Sequence, residues 1–269
     1  MLLTDRHEEI LSIVRNKRKT TVEELAAYFS VTPQTIRKNL NELSRKRLIQ
    51  RTHGGAIPYS GTTNMEHEIR RQISADEKSK IAEKIAHLIP EKSSILLTIG
   101  TTTEAVATAL EGHNDLLIIT NNINVANILR VHPKFEVIIA SGVVRSSDGG
   151  IVGESASDSL NQFKVDYAVI SVSAIDEDGS LLDFDFREVQ VLQKIIQNAH
   201  NVILAADSTK LTRTAPVRIG HISQIDIFVT DRIISRKFKK TIQDANIETI
   251  EVCPEKDGPE SESGPEDNA

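Results

Sequence analysis

Four short polar strings in this chain could together hold an anionic small molecule. They are Gly100–Thr103, Asn121–Asn122, Ser141–Gly142 and Asp207–Lys210, and each follows an apolar run typical of a buried strand. A glycine lets a ligand approach the backbone, and the free amides at a helix start attract anions. Lys210 adds a full positive charge. Because ligands of open parallel sheets bind at the carboxyl ends of the strands, the strings predict a phosphate-binding site there.

Each string also has a purely structural interpretation, because Thr, Asn and Asp commonly cap helices and form turns. The convergence of several strings at one sheet edge favours ligand binding over that alternative. The effector-binding residues predicted from the strings are Gly100, Thr101, Thr102, Thr103, Asn121, Asn122, Asp207 and Lys210.

A second set of polar residues lies on one face of a predicted helix. Thr32-Pro33 is typical of a helix start, and Ile36, Leu40 and Leu43 recur at the spacing of one buried face. On the opposite face, the amide of Gln34 can pair with adenine, and the guanidinium of Arg37 can pair with guanine or phosphate. The residues predicted to contact DNA are Gln34, Thr35, Arg37 and Lys38 on this helix and Arg51 and His53 after it. A helical domain with a solvated polar face is the alternative.

The surrounding elements favour the DNA-binding interpretation. A capping box over Thr21–Glu24 begins the preceding helix. After the third helix, residues 48–53 form a predicted strand that Gly54-Gly55 turns back on itself. Two successive capped helices followed by a two-stranded wing predict a winged helix-turn-helix.

The fold class predicted for the whole chain is α/β. Residues 1–57 form the winged helix-turn-helix, 58–75 a linker, 76–252 an effector-binding domain and 253–269 a disordered acidic tail. In the third segment, apolar runs such as ILLTI, LLIIT and VILAA alternate with helical patterns. This alternation predicts a mostly parallel sheet that helices cover on both faces.

Charge and composition narrow the class of protein. The chain of 269 residues carries a net charge of −6, yet residues 1–60 hold eleven Lys and Arg against six Asp and Glu. A basic head on an acidic body is expected when one domain alone contacts nucleic acid. The lone Cys253 excludes a disulfide within the chain, and the eight His show no metal-ligand spacing, so no metal is predicted. The sequence has no secretory signal and no membrane span, so a cytoplasmic location is expected.

One stretch of the N-terminal segment resembles the DeoR family of bacterial transcriptional repressors: SVTPQTIRKNLNELSRKRLIQRTHGGA. Residues 77–231 resemble the effector domain of that family through the strings GTTT, TNN, RSSDGGIVGE and ADSTK. The resemblance implies an operator-binding repressor without a cofactor, whose sensor takes a phosphorylated metabolite, with glycerol 3-phosphate implied in particular. Lys38-Asn39 stands where the family has Arg-Asp, Thr98 where it usually has Asp, and Ser171 and Ala174 where it has Gly. These departures leave another sugar phosphate open as the effector. A homodimer or homotetramer is expected, because symmetric half-sites strengthen the weak binding of one winged domain.

The same domain also resembles ribose-5-phosphate isomerases, so a sugar-phosphate isomerase is the alternative function. Glu188, Asp176 and Lys210 are similar to parts of the isomerase site, but Ser173 replaces the first acid of its DGAD string. With that site incomplete, no catalytic residue is predicted. Asp176 and Glu188 are instead predicted to contact the effector. Asp183, Asp185 and Glu188 could receive ligand hydroxyls, and a solvated acidic loop is the alternative for these three residues.

Overall fold

A computed structural model describes residues 5–17, 19–46, 48–59 and 66–253. The predicted acidic tail lies outside these residues, apart from Cys253. The helices are α1 Asp5–Lys17, α2 Val22–Tyr28, α3 Pro33–Arg45, α4 His67–Gln72, α5 Ala75–Leu88, α6 Thr101–Ala109, α7 Ile123–Leu129, α8 Glu154–Leu160, α9 Phe186–Gln197 and α10 Arg236–Ala245. The strands are β1 Thr20–Thr21, β2 Ile49–Thr52, β3 Gly55–Pro58, β4 Ser94–Leu97, β5 Leu117–Thr120, β6 Glu136–Ile139, β7 Val143–Val144, β8 Ile151–Val152, β9 Val165–Ile170, β10 Ala174–Ile175, β11 Ser180–Asp183, β12 Ala199–Ala205, β13 Val217–His221, β14 Ile227–Thr230 and β15 Glu248–Glu251.

The N-terminal part confirms the predicted winged helix-turn-helix. The capping box that begins α2 is complete, because the Glu24 amide donates to Thr21 Oγ1 at 3.1 Å and the Thr21 amide donates to Glu24 Oε2 at 2.9 Å. Thr32 caps α3, and Pro33 is its first residue. The wing is an antiparallel sheet in the order β1-β3-β2. At Gly55 a Cβ atom would lie 1.8 Å from the Thr20 carbonyl oxygen, so only glycine lets β1 and β3 approach this closely.

The segment 58–75, expected to be a linker, contains α4. Its two isoleucines, Ile69 and Ile73, are 7% and 6% exposed and belong to the core of the N-terminal domain. The end of the segment is therefore an ordered helix packed against that domain. Neighbouring residues 60–65 lie outside the described part of the chain.

The C-terminal domain is built on seven parallel strands in the order β15-β14-β12-β9-β4-β5-β6. Helices α5, α6 and α7 cover one face, and α8, α9 and α10 cover the other. Alternate residues of each strand point to opposite faces, so Leu96 packs with the second set of helices while Ile95 and Leu97 pack with the first. The predicted mostly parallel sheet is confirmed.

Smaller elements surround the carboxyl edge of this sheet. The hairpin of β10 and β11 pairs with β13 in a separate antiparallel sheet, and β7 pairs with β8. The sequence patterns did not predict these short strands, nor α8, α10 and β15. Among the described residues, no helix is long and apolar enough to cross a bilayer.

Candidate functional site

The exposed face of α3 carries the residues predicted to contact DNA. Gln34, Arg37 and Lys38 are exposed, whereas Ile36 and Leu40 on the opposite face are fully buried. The helix therefore presents its polar side chains to solvent as a set. They line a shallow groove together with their neighbours Thr32, Thr35, Asn41, Glu42 and Arg45.

Thr35 and the wing residues are placed differently from this exposed set. Thr35 is half-buried, and its hydroxyl is hydrogen-bonded to that of Thr32 at 2.9 Å, so it also stabilises the helix start. Arg51 is half-buried on β2, and its Nη1 atom is buried without a hydrogen-bond partner among the described residues. His53 is exposed in the turn that joins β2 to β3.

At the carboxyl edge of the parallel sheet, the ends of β4, β9 and β12 surround a small polar cavity. Three of the predicted effector-binding residues line it at these ends and at the start of α6: Gly100, Thr101 and Lys210. Gly100 has a φ of +148°, and a Cβ atom there would lie 3.1 Å from Ser171 Cβ. Glycine is therefore required where the chain turns from β4 into α6 beside the end of β9.

The remaining strand-end residues have structural partners and do not line the cavity. Thr103 Oγ1 donates to the carbonyl oxygens of Thr98 and Gly100 at 2.7 and 2.8 Å, which closes the turn. Asn121 Nδ2 donates to the Ile151 carbonyl at 3.1 Å.

Three further predicted residues also lie apart from the cavity lining. Asn122 caps α7, and Asp207 caps the 3-10 helix Ser208–Thr212. Thr102 is 1% exposed. For Asn122 and Asp207, as for Thr103, the alternative interpretation as caps and turn residues describes the observed contacts, whereas Asn121 Oδ1 is buried without a hydrogen-bond partner among the described residues.

Asp176 and Glu188, predicted together, are separated by the fold. Asp176 is exposed in the turn between β10 and β11, whereas Glu188 is buried in α9 and lines the cavity. The hairpin carries Asp176 to the surface because β10 and β11 reverse direction at that position. An effector contact at Asp176 is not supported by this placement.

Two buried lysines have lowered pKa values, and one of them, Lys210, lines the cavity. Burial and the charge of Arg213 lower the pKa of Lys210 to about 7, with Asp207 acting in the opposite direction. Burial also lowers the pKa of Lys78 to about 8, again against the pull of Asp207. Although burial opposes ionisation of Asp207, the two ammonium groups hold its pKa below the ordinary value.

A buried carboxyl pair, Asp183 and Glu188, also lines the cavity. Burial raises the pKa of Asp183, and burial together with the Asp183 charge raises the pKa of Glu188 to about 8. Arg145 contacts Glu188, and it also donates two 2.8 Å hydrogen bonds to Asp148. The cavity lining therefore combines the cationic side chains of Arg70 and Lys210, which can bind an anionic group, with carboxyl groups that can bind hydroxyls.

Sequence reasoning missed the basic residues that complete this site. Arg70 of α4 lines the cavity and Arg145 orients the carboxyl groups, whereas Lys78 of α5 lies outside the lining and donates to the Ile73 carbonyl at 2.6 Å. Arg145 begins the RSSDGG string, and Asp148 follows it by three residues, so this spacing could have indicated an ion pair. Arg70 belongs to a polar stretch without periodicity, and the sequence alone carries no signal for its position.

Comparison with known proteins identifies both parts of the chain. Residues 6–61 match the DeoR-like helix-turn-helix domain, and residues 73–232 match the DeoR C terminal sensor domain. The chain is similar to the glycerol-3-phosphate regulon repressor of Escherichia coli (44% identical, covering 94% of this chain and 100% of that protein). It is also similar to the Haemophilus influenzae protein of the same name (44% identical, 84% and 88%) and to the E. coli HTH-type transcriptional repressor CsqR (41% identical, 91% and 94%).

Among solved structures, ribose 5-phosphate isomerase A from Methanocaldococcus jannaschii is similar with a TM-score of 0.38. The two proteins are 16% identical, and the match covers 51% of this chain and 54% of that one. A similarity of this extent carries no conclusion about activity.

Proposed function

This chain belongs to the DeoR family, and from that premise we propose that it represses transcription by binding operator DNA through α3 and the wing. A phosphorylated metabolite, with glycerol 3-phosphate as the favoured effector, then lowers its affinity for the operator. The protein is a regulator rather than an enzyme, as the names of its relatives indicate. A cytoplasmic homodimer or homotetramer is part of the proposal, because paired half-sites strengthen binding by a small domain.

The observation that carries the proposal is that one chain contains both an exposed polar face on α3 and a buried cavity lined by a lysine. The α3 face offers an amide, a guanidinium and an ammonium on Gln34, Arg37 and Lys38 to a major groove. The cavity joins Lys210 to the start of α6, and both favour an anionic group. These features support DNA binding at one end of the molecule and phosphate binding at the other.

Glycerol 3-phosphate is favoured because two relatives that are 44% identical to this chain carry it in their names. The carboxyl groups of Asp183 and Glu188, which line the cavity, suit the hydroxyl groups of a short phosphorylated polyol. Another sugar phosphate remains the second candidate, because Thr98 and Ser171 lie at the strand ends where the family resemblance has other residues. Thr98 Oγ1 accepts from the Ser171 amide at 3.3 Å, so the two departures form one local contact.

Two measurements test the proposal. Selection of random duplex DNA on the full-length protein should enrich one sequence with inverted symmetry, since symmetric oligomers bind paired half-sites. A thermal-shift panel of three- to six-carbon phosphates should then raise the melting temperature most with glycerol 3-phosphate. No enriched sequence would remove the repressor proposal, and a larger shift with another phosphate would reassign the effector.

A further inference from the structure

Helix α4 contacts both parts of the molecule. Ile69 and Ile73, four residues apart, pack into the core of the DNA-binding domain. His67, Arg70 and Arg71, three and four residues apart, contact acidic residues of the sensor instead. Because residues at these spacings share a helix face, α4 has an apolar side for one domain and an ionic side for the other.

Glu104 receives most of the ionic contacts of α4. It lies in the first turn of α6, and its side chain is only 4% exposed. Its Oε1 atom lies 2.8 Å from His67 Nε2, and its Oε2 atom accepts from Arg71 Nε at 3.1 Å. Asn124 of α7 also donates to Oε1, at 2.9 Å. Glu104 therefore fixes α4 to the starts of two sensor helices.

The environment of Glu104 makes this anchor sensitive to the loss of a partner. Burial opposes ionisation, but the hydrogen bonds from His67 and Asn124 and the nearby charges hold the pKa of Glu104 below its ordinary value. The carboxylate is thus ionised and buried at neutral pH. Separating α4 from α6 would leave the buried Glu104 carboxylate without its partners, which is energetically costly. The two helices should therefore move together.

Helix α4 also reaches the strand-end cavity. Arg70 lines the cavity and donates to Asp148 Oδ2 at 3.1 Å. Thr101 lines it too, and its hydroxyl donates to the Arg70 carbonyl at 3.4 Å. Thr101 precedes Glu104 by three residues in the same helix. A ligand in the cavity would therefore contact α4 directly and would also contact the helix that anchors it.

We propose that α4 transmits effector binding to the DNA-binding domain, and that Glu104 holds α4 in the position that permits operator binding. This inference rests on the proposed function. When a phosphate group enters the cavity, it competes with Asp148 for Arg70 and displaces the start of α6. Ile69 and Ile73 then carry the movement into the DNA-binding domain.

The test compares Glu104→Gln and Arg71→Gln with the control Glu111→Gln, which changes an exposed acid just beyond the far end of α6. Without effector, each test variant of the full-length protein should bind the selected operator at least about fivefold more weakly than wild type, close to the factor by which saturating effector weakens wild-type binding. Glycerol 3-phosphate should shift the operator affinity of the test variants by less than about twofold, whereas wild type and control respond within the usual range of roughly 5–150-fold. Calorimetry should show that both test variants bind glycerol 3-phosphate at least as tightly as wild type, because a released α4 no longer opposes effector binding.

Several outcomes would overturn the inference. One is an unchanged operator affinity of the effector-free test variants, and another is a wild-type response to glycerol 3-phosphate. Loss of glycerol 3-phosphate binding in both variants would place Glu104 and Arg71 in the effector site instead. Arg71 has a side chain 48% exposed, so its variant remains informative if Glu104→Gln fails to fold. If wild type itself ignores glycerol 3-phosphate, the proposed effector is wrong, and the effector-free comparison still decides the role of Glu104.

Discussion

Arg145 Nη2 donates a hydrogen bond to Glu188 Oε2 at 2.6 Å, so the acid that most resembles an isomerase base is held by a guanidinium. The same guanidinium contacts Asp185 through Nη1 at 3.0 Å. Glu188 also lines the cavity, where its carboxyl group can hydrogen-bond the hydroxyls of a ligand.

Glu188→Gln should flatten the dependence of stability on pH. The folded protein keeps the Glu188 proton up to a pKa of about 8, whereas an unfolded chain releases it near 4.5. Stability from this proton is therefore complete below pH 4.5 and is lost as the pH rises towards 8. The wild-type free energy of unfolding should fall by the order of a few kcal/mol more than that of the variant over this window. Urea unfolding at pH 5 and pH 7 measures this, with the exposed Glu154→Gln as control. Equal slopes for Glu188→Gln and wild type would contradict the assignment.

Lys210→Gln should produce a repressor that no longer responds to its effector. Lys210 is a buried lysine that lines the cavity, and a bound phosphate would favour its charged form. Charge-assisted hydrogen bonds to phosphate contribute roughly 1.5–3 kcal/mol each. Glycerol 3-phosphate should bind about tenfold or more weakly by calorimetry, while operator binding persists. Lys84→Gln, on the exposed side of α5, is the matched control. Undiminished glycerol 3-phosphate binding by Lys210→Gln would show that the phosphate site lies elsewhere.

Arg37→Ala should weaken operator binding by about 1–3 kcal/mol if the guanidinium contacts a base edge. The side chain is exposed on α3 beside Gln34 and Lys38, so its removal should leave the fold intact. Fluorescence anisotropy with the selected operator measures the change, and Arg236→Ala on α10 controls for loss of charge. If Arg37→Ala and Arg236→Ala bind equally well, Arg37 does not contact the operator.

Lys38→Ala should change the salt dependence of operator binding more than it changes the preference of the protein for one DNA sequence. A lysine that neutralises one phosphate releases counterions, so its loss should reduce the slope of log affinity against log salt by roughly one unit per protomer. Anisotropy titrations over a series of salt concentrations give this slope, with the exposed Lys239→Ala as control. A slope unchanged from wild type would exclude a phosphate contact for Lys38.

Elements with strong local patterns could be predicted from the sequence. The capping box at Thr21 and the Thr32-Pro33 helix start depend on neighbouring residues, and both are present. The apolar runs at β4, β5 and β12 are long enough to identify buried parallel strands. Helix α4 was missed because its six residues have too few apolar positions to show a period, and Ile69 is buried by contacts with distant residues.

The candidate site could be predicted only in part. Gly100 and Lys210 follow their strands directly, so sheet topology alone places them at the cavity. Thr103 and Asn122 follow strands as well, but local geometry turns their polar atoms towards backbone partners. The contacts of Arg70 with residues far along the chain, such as Asp148, depend on tertiary packing that no spacing in the sequence reveals.

The most direct test of the central claim is the operator affinity of the full-length protein in the presence and absence of glycerol 3-phosphate. Anisotropy titrations should show that saturating glycerol 3-phosphate lowers this affinity by roughly 5–150-fold, the usual range of allosteric coupling. Glycerol at the same concentration should have no effect, since it lacks the anionic group that Lys210 and the start of α6 would hold. An operator affinity unchanged by glycerol 3-phosphate, or lowered equally by glycerol, would contradict the claim that this chain is a glycerol 3-phosphate-responsive repressor.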